Sequence, residues 1–375
     1  MKQMIYADNA ATTKLDTDAF EAMLPWLTEE YGNASQPYSF SRKPKKALSM
    51  ARETIASCIG ASPDEIFFTS GGTEGDNWAI KGTAFSKNVD SGALITSAFE
   101  HHAVLNAAEA IETLLYPVAY MWPSKDGYIT TEILNNYITN ETRMVSVMMA
   151  NNELGTIQPI KDLCYIAHNN GALFHTDAVQ AVGHIPINVD ELGVDILTAS
   201  AHKFNGPKGI GFLFIRNGTK IVPYANGGGQ ERNLRAGTEN VAAIVGMATA
   251  LEKNCAAIEK NMTHITEASA LLINHLDAAN VRYMINGKGE KLPGILSLSF
   301  PDADGEAILH RMDLKGICIS TGSACDSKDT QISHVLKAIQ LDDHLAKGTI
   351  RISLGKDNTL EEAILIAQAL ERIVS

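Results

Sequence analysis

Short apolar runs alternate with amphipathic segments between residues 65 and 215. The apolar runs predict buried strands at residues 65–69, 93–97, 116–120, 144–150, 173–176, 195–200 and 210–215. Helical periodicity occupies several of the intervening segments, at residues 103–115, 130–138 and 160–169. Strands that alternate with helices of this length predict an α/β fold, with a mostly parallel sheet sandwiched by helices.

The regular alternation of predicted strands and helices ends near residue 222. Residues 227–238 form a polar, glycine-rich loop, and one long helix is predicted from residue 240 to about residue 262. Shorter strands and helices follow, as far as a last helix that opens with a capping box, Thr359-x-x-Glu362. We therefore expect a large domain over residues 16–258 and a smaller α+β domain over residues 1–15 and 259–375.

Composition and charge exclude several classes of function. Of the 375 residues, 45% are apolar and 20% are charged, which is typical of a globular protein with a large core. The net charge of −12 argues against nucleic acid as a direct ligand. No apolar stretch reaches about 18 residues and the N-terminus shows no targeting pattern, so we expect a cytoplasmic protein that does not span a membrane.

The five cysteines, at positions 58, 164, 255, 318 and 325, show no C-x-x-C spacing. Their odd number and spacing argue against a zinc site and against a disulfide framework. Cys325 differs from the others because residues 320–329 are mostly small or polar, which predicts an exposed loop and a reactive thiol. An incidental surface cysteine is the structural alternative.

A glycine-rich turn joins the first of these strands to a helix. It contains Gly71, Gly72 and Thr73. A turn of this kind presents backbone N–H groups and the positive end of the helix dipole, which suits a phosphate group. The spacing is neither G-x-G-x-x-G nor a Walker loop, so a nucleotide is not indicated.

Lys203 lies in the segment Ser200-Ala201-His202-Lys203, at the end of a predicted buried strand. Desolvation of an ammonium near a core is costly; it lowers the lysine pKa and frees the amine as a nucleophile toward an aldehyde. The functional interpretation is a lysine that forms a Schiff base with pyridoxal 5′-phosphate (PLP). The structural alternative, which this segment alone favours, is a surface lysine in a Gly/Pro turn.

Other polar residues also follow predicted strands. Asp177 would keep a pyridinium nitrogen protonated, with Gln180 near a ring hydroxyl, although a helix N-cap is the common role of such an aspartate. His101 would stack on a ring or move protons, whereas a lone histidine there is more often structural. Arg351 would clamp a carboxylate through a bidentate pair.

These motifs resemble those of the cysteine desulfurases, within the PLP enzymes of the class V aminotransferase fold. The resemblance runs nearly end to end, from Asp8 to Arg351. Its most specific parts are the motifs Ser200-x-His202-Lys203, His175-x-Asp177-x-x-Gln180 and Gly322-Ser323-Ala324-Cys325. We therefore expect fold-type I architecture, a bound PLP and L-cysteine as substrate.

The resemblance implies a role for each candidate residue. Lys203 carries PLP, Asp177 and Gln180 contact its ring, and His101 stacks over the ring and assists proton transfer. The phosphate is held by Gly72, Thr73, Ser200 and His202, with Thr238 reaching it from the partner subunit of a homodimer. The substrate carboxylate is met by Arg351 and by Asn152, which also contacts the cofactor.

Cys325 is the implied nucleophile. It takes the sulfur of L-cysteine, leaving L-alanine and a persulfide that passes to an acceptor for iron–sulfur cluster assembly or tRNA thiolation. No resident metal is implied, only a transient contact of Cys325 with a cluster during transfer. Cluster-assembly members often carry a further tail where this chain ends at Ser375, so a dedicated thio-transfer acceptor is an equal expectation.

Two other activities of the same fold remain as alternatives. They are selenocysteine lysis and transamination. A transaminase needs no mobile cysteine, so Cys325 argues against it.

Overall fold

The computed structural model describes residues 4–86, 92–321 and 332–374. In these ranges the strands are β1 (Ile5–Tyr6), β2 (Ile66–Thr69), β3 (Ala93–Ser97), β4 (Val118–Met121), β5 (Thr142–Ser146), β6 (Leu173–Asp177), β7 (Ile196–Ser200), β8 (Gly211–Ile215), β9 (Met284–Ile285), β10 (Ile295–Ser299), β11 (Ile317–Cys318) and β12 (Thr349–Ser353). The α-helices are α1 (Thr17–Thr28), α2 (Arg42–Ile59), α3 (Gly72–Ala84), α4 (His102–Glu112), α5 (Thr131–Tyr137), α6 (Ile160–Asn169), α7 (Val189–Leu192), α8 (Val241–Ala256), α9 (Ile258–Ala278), α10 (Gly305–Asp313), α11 (His334–Ala338), α12 (Asp343–Lys347) and α13 (Leu360–Val374).

Seven of these strands form the central sheet, in the order β2-β8-β7-β6-β5-β3-β4. β7, β6, β5, β3 and β4 are parallel, and β8 is antiparallel to both of its neighbours. Parallel neighbours need crossover connections, and α4 to α7 lie in the connections between these strands. The predicted α/β fold with a mostly parallel sheet is confirmed.

The strands of this sheet are apolar because both faces are covered. Every position of β7 and β8 is buried. Phe174, Phe212 and Phe214 are fully buried within the core that the sheet and its helices share. A strand with one wet face would alternate apolar and polar residues, and these strands do not.

A second core lies beneath a smaller sheet. Here β10 pairs antiparallel with β12 and β9, and α9, α10 and α13 contribute to the same apolar cluster. Leu298, Phe300, Ile350 and Leu370 are among its most buried members. Strand β1 pairs parallel with β11, so Ile5 and the start of the chain also pack into this core.

The long helix predicted from residue 240 is broken in the structure. It consists of α8 and α9, which meet at Ala257 at an angle of 72°. The two helices pack into different cores. Leu251 of α8 is buried in the core of the central sheet, and Leu272 of α9 is buried in the core beneath the smaller sheet. The prediction of one long helix was therefore wrong, because the chain bends at Ala257 between the segments that pack into the two cores.

No single helix of the described residues is both long enough and apolar enough to cross a membrane. The bent pair of α8 and α9 has sufficient length and apolar composition only when the two helices are taken together. Nine residues of α8 are buried against the protein, as expected of a core helix.

Candidate active site

A cleft of about 320 Å³ opens at the carboxyl ends of β6 and β7, where α3 and α4 begin. Functional residues are expected at this edge of an open α/β sheet. All but two of the predicted site residues line it: Gly72, Thr73, His101, Asn152, Asp177, Gln180, Ser200, His202, Lys203 and Arg351. The cleft therefore brings together side chains from both halves of the chain.

Lys203 occupies a single turn of 3-10 helix, Ala201–Lys203, that follows β7. Its Nζ donates hydrogen bonds to the carbonyl oxygens of Ala10 and Ala11, the latter at 2.9 Å. Gln180 Nε2 donates to the same Ala10 oxygen at 2.9 Å. The segment between β1 and α1 thus sets the position of the amine.

Asp177 is the last residue of β6 and is almost fully buried. Burial raises the pKa of its carboxyl to about 6, although the Val179 N–H and the Lys203 ammonium act in the opposite direction. Its Oδ1 accepts a hydrogen bond from Val179 N at 2.9 Å. A buried carboxylate with a raised pKa is stabilised by a cation brought next to it, so this position suits a protonated ring nitrogen.

A chain of buried polar side chains supports the end of β6. Ser146 Oγ lies 2.8 Å from His175 Nδ1, and His175 Nε2 lies 3.0 Å from Thr198 Oγ1. Burial lowers the pKa of His175 to about 3, so the ring is neutral at pH 7. Asp76, whose Oδ1 is 3.6 Å from His175 Nε2, has a pKa raised well above its usual range by burial and by the nearby charge of Asp177.

His101 caps α4. Its Nδ1 accepts a hydrogen bond from Ala103 N at 3.1 Å. Burial lowers the pKa of His101 to about 4, with smaller contributions from Lys203 and the neighbouring histidines. The ring is therefore neutral at pH 7 and carries its proton on Nε2, which makes it a hydrogen-bond donor toward the cleft.

The first turn of α3 forms an anion cradle with the end of β7. Gly72, Thr73, Ser200 and His202 line an adjoining cavity of about 340 Å³. Gly71, which precedes the helix, has a φ of +149°, a conformation that side chains rarely adopt. N–H groups at a helix start and the positive helix dipole favour a phosphate here.

Arg351 is held in the cleft by two acceptors. One Nη donates to the carbonyl oxygen of Asn152 at 2.9 Å and the other to Asp8 Oδ1 at 2.8 Å. Its Nε is buried and has no hydrogen-bond partner within the described parts of the chain. This guanidinium is thus oriented and retains capacity to bind a carboxylate.

Two predicted residues lie elsewhere. Thr238 is exposed and does not line the cleft of its own chain. Cys325 lies outside the described residues. The loop of Thr238 still approaches the cradle, because Arg235 donates to Glu74 Oε1 at 2.8 Å.

Sequence reasoning missed several residues around the cleft: Asp8, Asp76, His102, Glu153 and His334. Most of them lie in loops or near the starts of helices, and they do not directly follow a predicted apolar strand. The His101-His102 doublet was the one visible signal.

A family model described as Aminotransferase class-V matches residues 5–365 of the chain. Among curated relatives, "Cysteine desulfurase IscS" of Dictyoglomus turgidum is 47% identical over 100% of this chain and 95% of its own length. The protein of the same name from Methanosarcina thermophila is 43% identical over 99% of this chain and 92% of its own length.

Solved structures are also similar to this chain over most of its length. One named "NIFS-LIKE PROTEIN" matches with a TM-score of 0.93 and 37% identity, covering 99% of both chains. Another, "SspA in complex with cysteine", matches with a TM-score of 0.84 and 35% identity, covering 94% of this chain and 99% of the other. The likeness to these two structures therefore extends over nearly the whole chain.

Proposed function

The chain belongs to the class V aminotransferase family and acts as a cysteine desulfurase; we propose that it does so with PLP bound at Lys203 and a persulfide formed on Cys325. One observation carries this proposal. Lys203, the buried carboxylate of Asp177 and the anion cradle at Thr73 line a single cleft. An amine, a partner for a cationic ring nitrogen and a phosphate site are the three features that PLP requires.

Each contact of the cofactor falls to a residue of this chain. Lys203 would bind it covalently, Asp177 would face the ring nitrogen, Gln180 would face the ring hydroxyl, and His101 would stack on the ring. The remaining contacts are Gly72, Thr73, Asn152, Ser200 and His202, with Thr238 of a second subunit. When bound, PLP supplies an electron sink that stabilises negative charge on the substrate carbon atoms.

Arg351 positions L-cysteine through its carboxylate, helped by Asn152. The guanidinium is already oriented by Asp8 and by the Asn152 carbonyl, so little side-chain entropy is lost when the substrate binds. With the cofactor bound, Lys203 would be the residue that moves the proton of the α carbon.

Cys325 performs the sulfur transfer. Its thiolate forms an S–S bond with the substrate sulfur, the C–S bond breaks, and the electron pair of that bond stays with the β carbon. That carbon gains a proton and becomes the methyl group of L-alanine. The persulfide then passes its terminal sulfur to an acceptor protein, either an iron–sulfur scaffold or a tRNA-thiolation enzyme.

A homodimer completes the site in this proposal. Thr238 is exposed and does not line the cleft of its own chain, which suits a role in the partner's cleft. Exposed apolar side chains surround α1, at Phe20, Leu27, Tyr31 and Phe40. Apolar surface of this kind is typical of a subunit contact.

The same proposal divides the chain into a large PLP-binding domain, residues 16–258, and a small domain, residues 1–15 and 259–375. The packing of β1, α9 and α13 around one core supports this division.

The experiment that tests the function is incubation of the purified, PLP-loaded protein with L-cysteine. We expect a yellow protein that releases L-alanine and forms one protein persulfide per site without any keto-acid acceptor, whereas Lys203→Ala does neither. Borohydride reduction should fix the cofactor to the peptide that contains Lys203.

Two outcomes would favour an alternative. A requirement for a keto acid would indicate a transaminase. A large preference for L-selenocysteine over L-cysteine would indicate a lyase.

A further inference from the structure

Helices α2 and α8 pack against each other, and each carries a cysteine near its carboxyl end. On α2, Cys58 follows the fully buried Ile55 by three positions. On α8, Cys255 follows the fully buried Leu251 by four. Residues three or four apart share one face of a helix, and both apolar residues belong to the core of the central sheet. Each cysteine therefore lies at the edge of a face that its helix turns toward the other.

The two thiols are in contact. Cys58 donates a hydrogen bond to the sulfur of Cys255. That bond lowers the pKa of the Cys255 thiol, and the same bond together with burial raises the pKa of Cys58. Both cysteines are free and half-buried, so a small molecule in solution has access to them. The pair thus combines a thiol that ionises readily with a second thiol beside it.

The other described cysteines differ from this pair. Cys164 is buried on α6, where its Sγ lies 3.7 Å from His168 Nε2 rather than beside a second thiol. Cys318 is half-buried like the pair, but it lies on β11, in the two-stranded sheet with β1. Burial raises the pKa of both thiols. Cys318 is therefore a built-in control for exposure without a paired thiol on a facing helix.

We propose that Cys58 and Cys255 form a dithiol site, which small disulfides such as oxidised glutathione convert reversibly into an intramolecular disulfide. Neither cysteine lines the cleft, so the site does not depend on the proposed desulfurase function. The spacing of the cysteines in the sequence gave no sign of this site. Only the packing of α2 on α8 brings the two sulfur atoms together.

The lower pKa of Cys255 sets the order of the steps, because the thiolate is the attacking species in thiol–disulfide exchange. The Cys255 thiolate attacks one sulfur of oxidised glutathione, the S–S bond of glutathione breaks, and one glutathione thiolate leaves. Cys58 then loses its proton to that thiolate and attacks the Cys255 sulfur, and the second glutathione thiolate leaves. The two protein thiols lose two electrons and two protons in total, and the small disulfide gains them.

The disulfide would close a loop that contains every strand of the central sheet. Strands β2 to β8 all lie between Cys58 and Cys255 in the chain. A cross-link that closes a long loop restricts the unfolded chain and thereby stabilises the folded one. Cys255 also adjoins Asn254, whose Nδ2 donates to the Phe204 carbonyl oxygen at 2.7 Å, next to Lys203. Oxidation should therefore stabilise the large core around the end of α8.

Peptide mapping of the PLP-loaded protein tests the site directly. The protein is equilibrated in buffers with different ratios of reduced to oxidised glutathione, and the remaining thiols are blocked with N-ethylmaleimide before digestion. We expect mass spectrometry to find one peptide pair joined through Cys58 and Cys255, two hydrogen atoms lighter than the separate peptides. Dithiothreitol should remove it. Cys318 in the same sample should carry maleimide or glutathione and no intramolecular disulfide.

Two results of the mapping would overturn the site. One is that both cysteines carry only maleimide or glutathione in the most oxidising buffer. The other is a disulfide that joins Cys255 to a different cysteine. Neither measurement uses enzymatic activity, so a protein that releases no alanine would refute the proposed function and leave this site standing.

Single variants test the order of the steps. Cys58→Ser should trap glutathione on Cys255, whereas Cys255→Ser should leave Cys58 modified far more slowly. The reverse pattern would overturn the assignment of Cys255 as the attacking sulfur. Circular dichroism at the wild-type level shows that each variant is folded.

Urea unfolding of the oxidised and reduced protein tests the effect of the cross-link. We expect the equilibrium constant for unfolding to fall by about 30-fold or more on oxidation. Cys318→Ser should show the same shift as wild type, and Cys58→Ser should show none. Equal unfolding of oxidised and reduced wild type, or a shift that persists in Cys58→Ser, would overturn the stabilising role of this disulfide.

Discussion

The carboxylate of Asp8 lies 2.8 Å from the guanidinium of Arg351, across 343 positions of sequence. The Asp8 side chain is 18% exposed and that of Arg351 only 4% exposed. The pair joins the segment after β1 to β12, and it does so at the wall of the cleft. Because both side chains are largely buried, water and salt screen this ion pair less than they screen the exposed ion pairs of this protein.

Asp8→Asn should destabilise the protein by about 3 kcal/mol, because a buried guanidinium loses its counter-charge. Asp190→Asn is the control, since it removes an Arg–Asp pair of similar length, 2.7 Å, in which the aspartate side chain is 71% exposed. That change should cost less than about 1 kcal/mol. Urea unfolding of the PLP-free proteins measures both, and equal losses would contradict the argument.

Glu100 should make the stability of the protein depend on pH. Burial raises the pKa of its carboxyl to about 8 in the folded chain, whereas the unfolded chain titrates near about 4.3. Between these values the folded state retains a proton that the unfolded state has lost, so the free energy of unfolding falls as pH rises. The fall amounts to about 1.4 kcal/mol for each pH unit well inside this window.

Glu100→Gln should remove this contribution, so the variant gains stability relative to wild type as pH rises from 5 to 8. Urea unfolding of the PLP-free proteins at several pH values measures the difference, with the exposed residue change Glu267→Gln as control. Parallel curves for wild type and Glu100→Gln would show that Glu100 is ionised in the folded protein.

Thr238 should serve the cleft of the partner subunit. In mixed dimers of Thr238→Ala and Lys203→Ala subunits, the only sites with an intact lysine then lack their threonine. We expect weak PLP retention and low alanine release from such purified dimers. Strong activity would mean that Thr238 serves its own subunit.

Cys325→Ser should bind PLP and L-cysteine but form no persulfide and release little alanine. Cys318→Ser and Cys164→Ser should remain active, because burial raises the thiol pKa at both positions, at Cys164 to about 12. Those thiols are protonated near pH 7 and are poor nucleophiles. Mass spectrometry of the peptides after incubation with L-cysteine locates the added sulfur; sulfur on Cys318 would refute the assignment.

The sequence by itself determined the α/β alternation and most of the cleft. Local periodicity distinguishes a buried strand from an amphipathic helix, and the carboxyl ends of parallel strands must share one edge. Asp177 and Lys203 were therefore recognisable from their positions after β6 and β7. The glycines before α3 were recognisable too, because a backbone φ such as that of Gly71 restricts the residue type.

Tertiary structure alone decided which distant groups complete the cleft. The carbonyls of Ala10 and Ala11 meet Lys203 across more than 190 positions, and His334 meets the Glu100 carbonyl across 234. The break between α8 and α9 has the same origin, since it depends on two cores rather than on the helix sequence. Contacts of this kind come from the packing of separate elements, and backbone carbonyls carry no side-chain signal in the sequence.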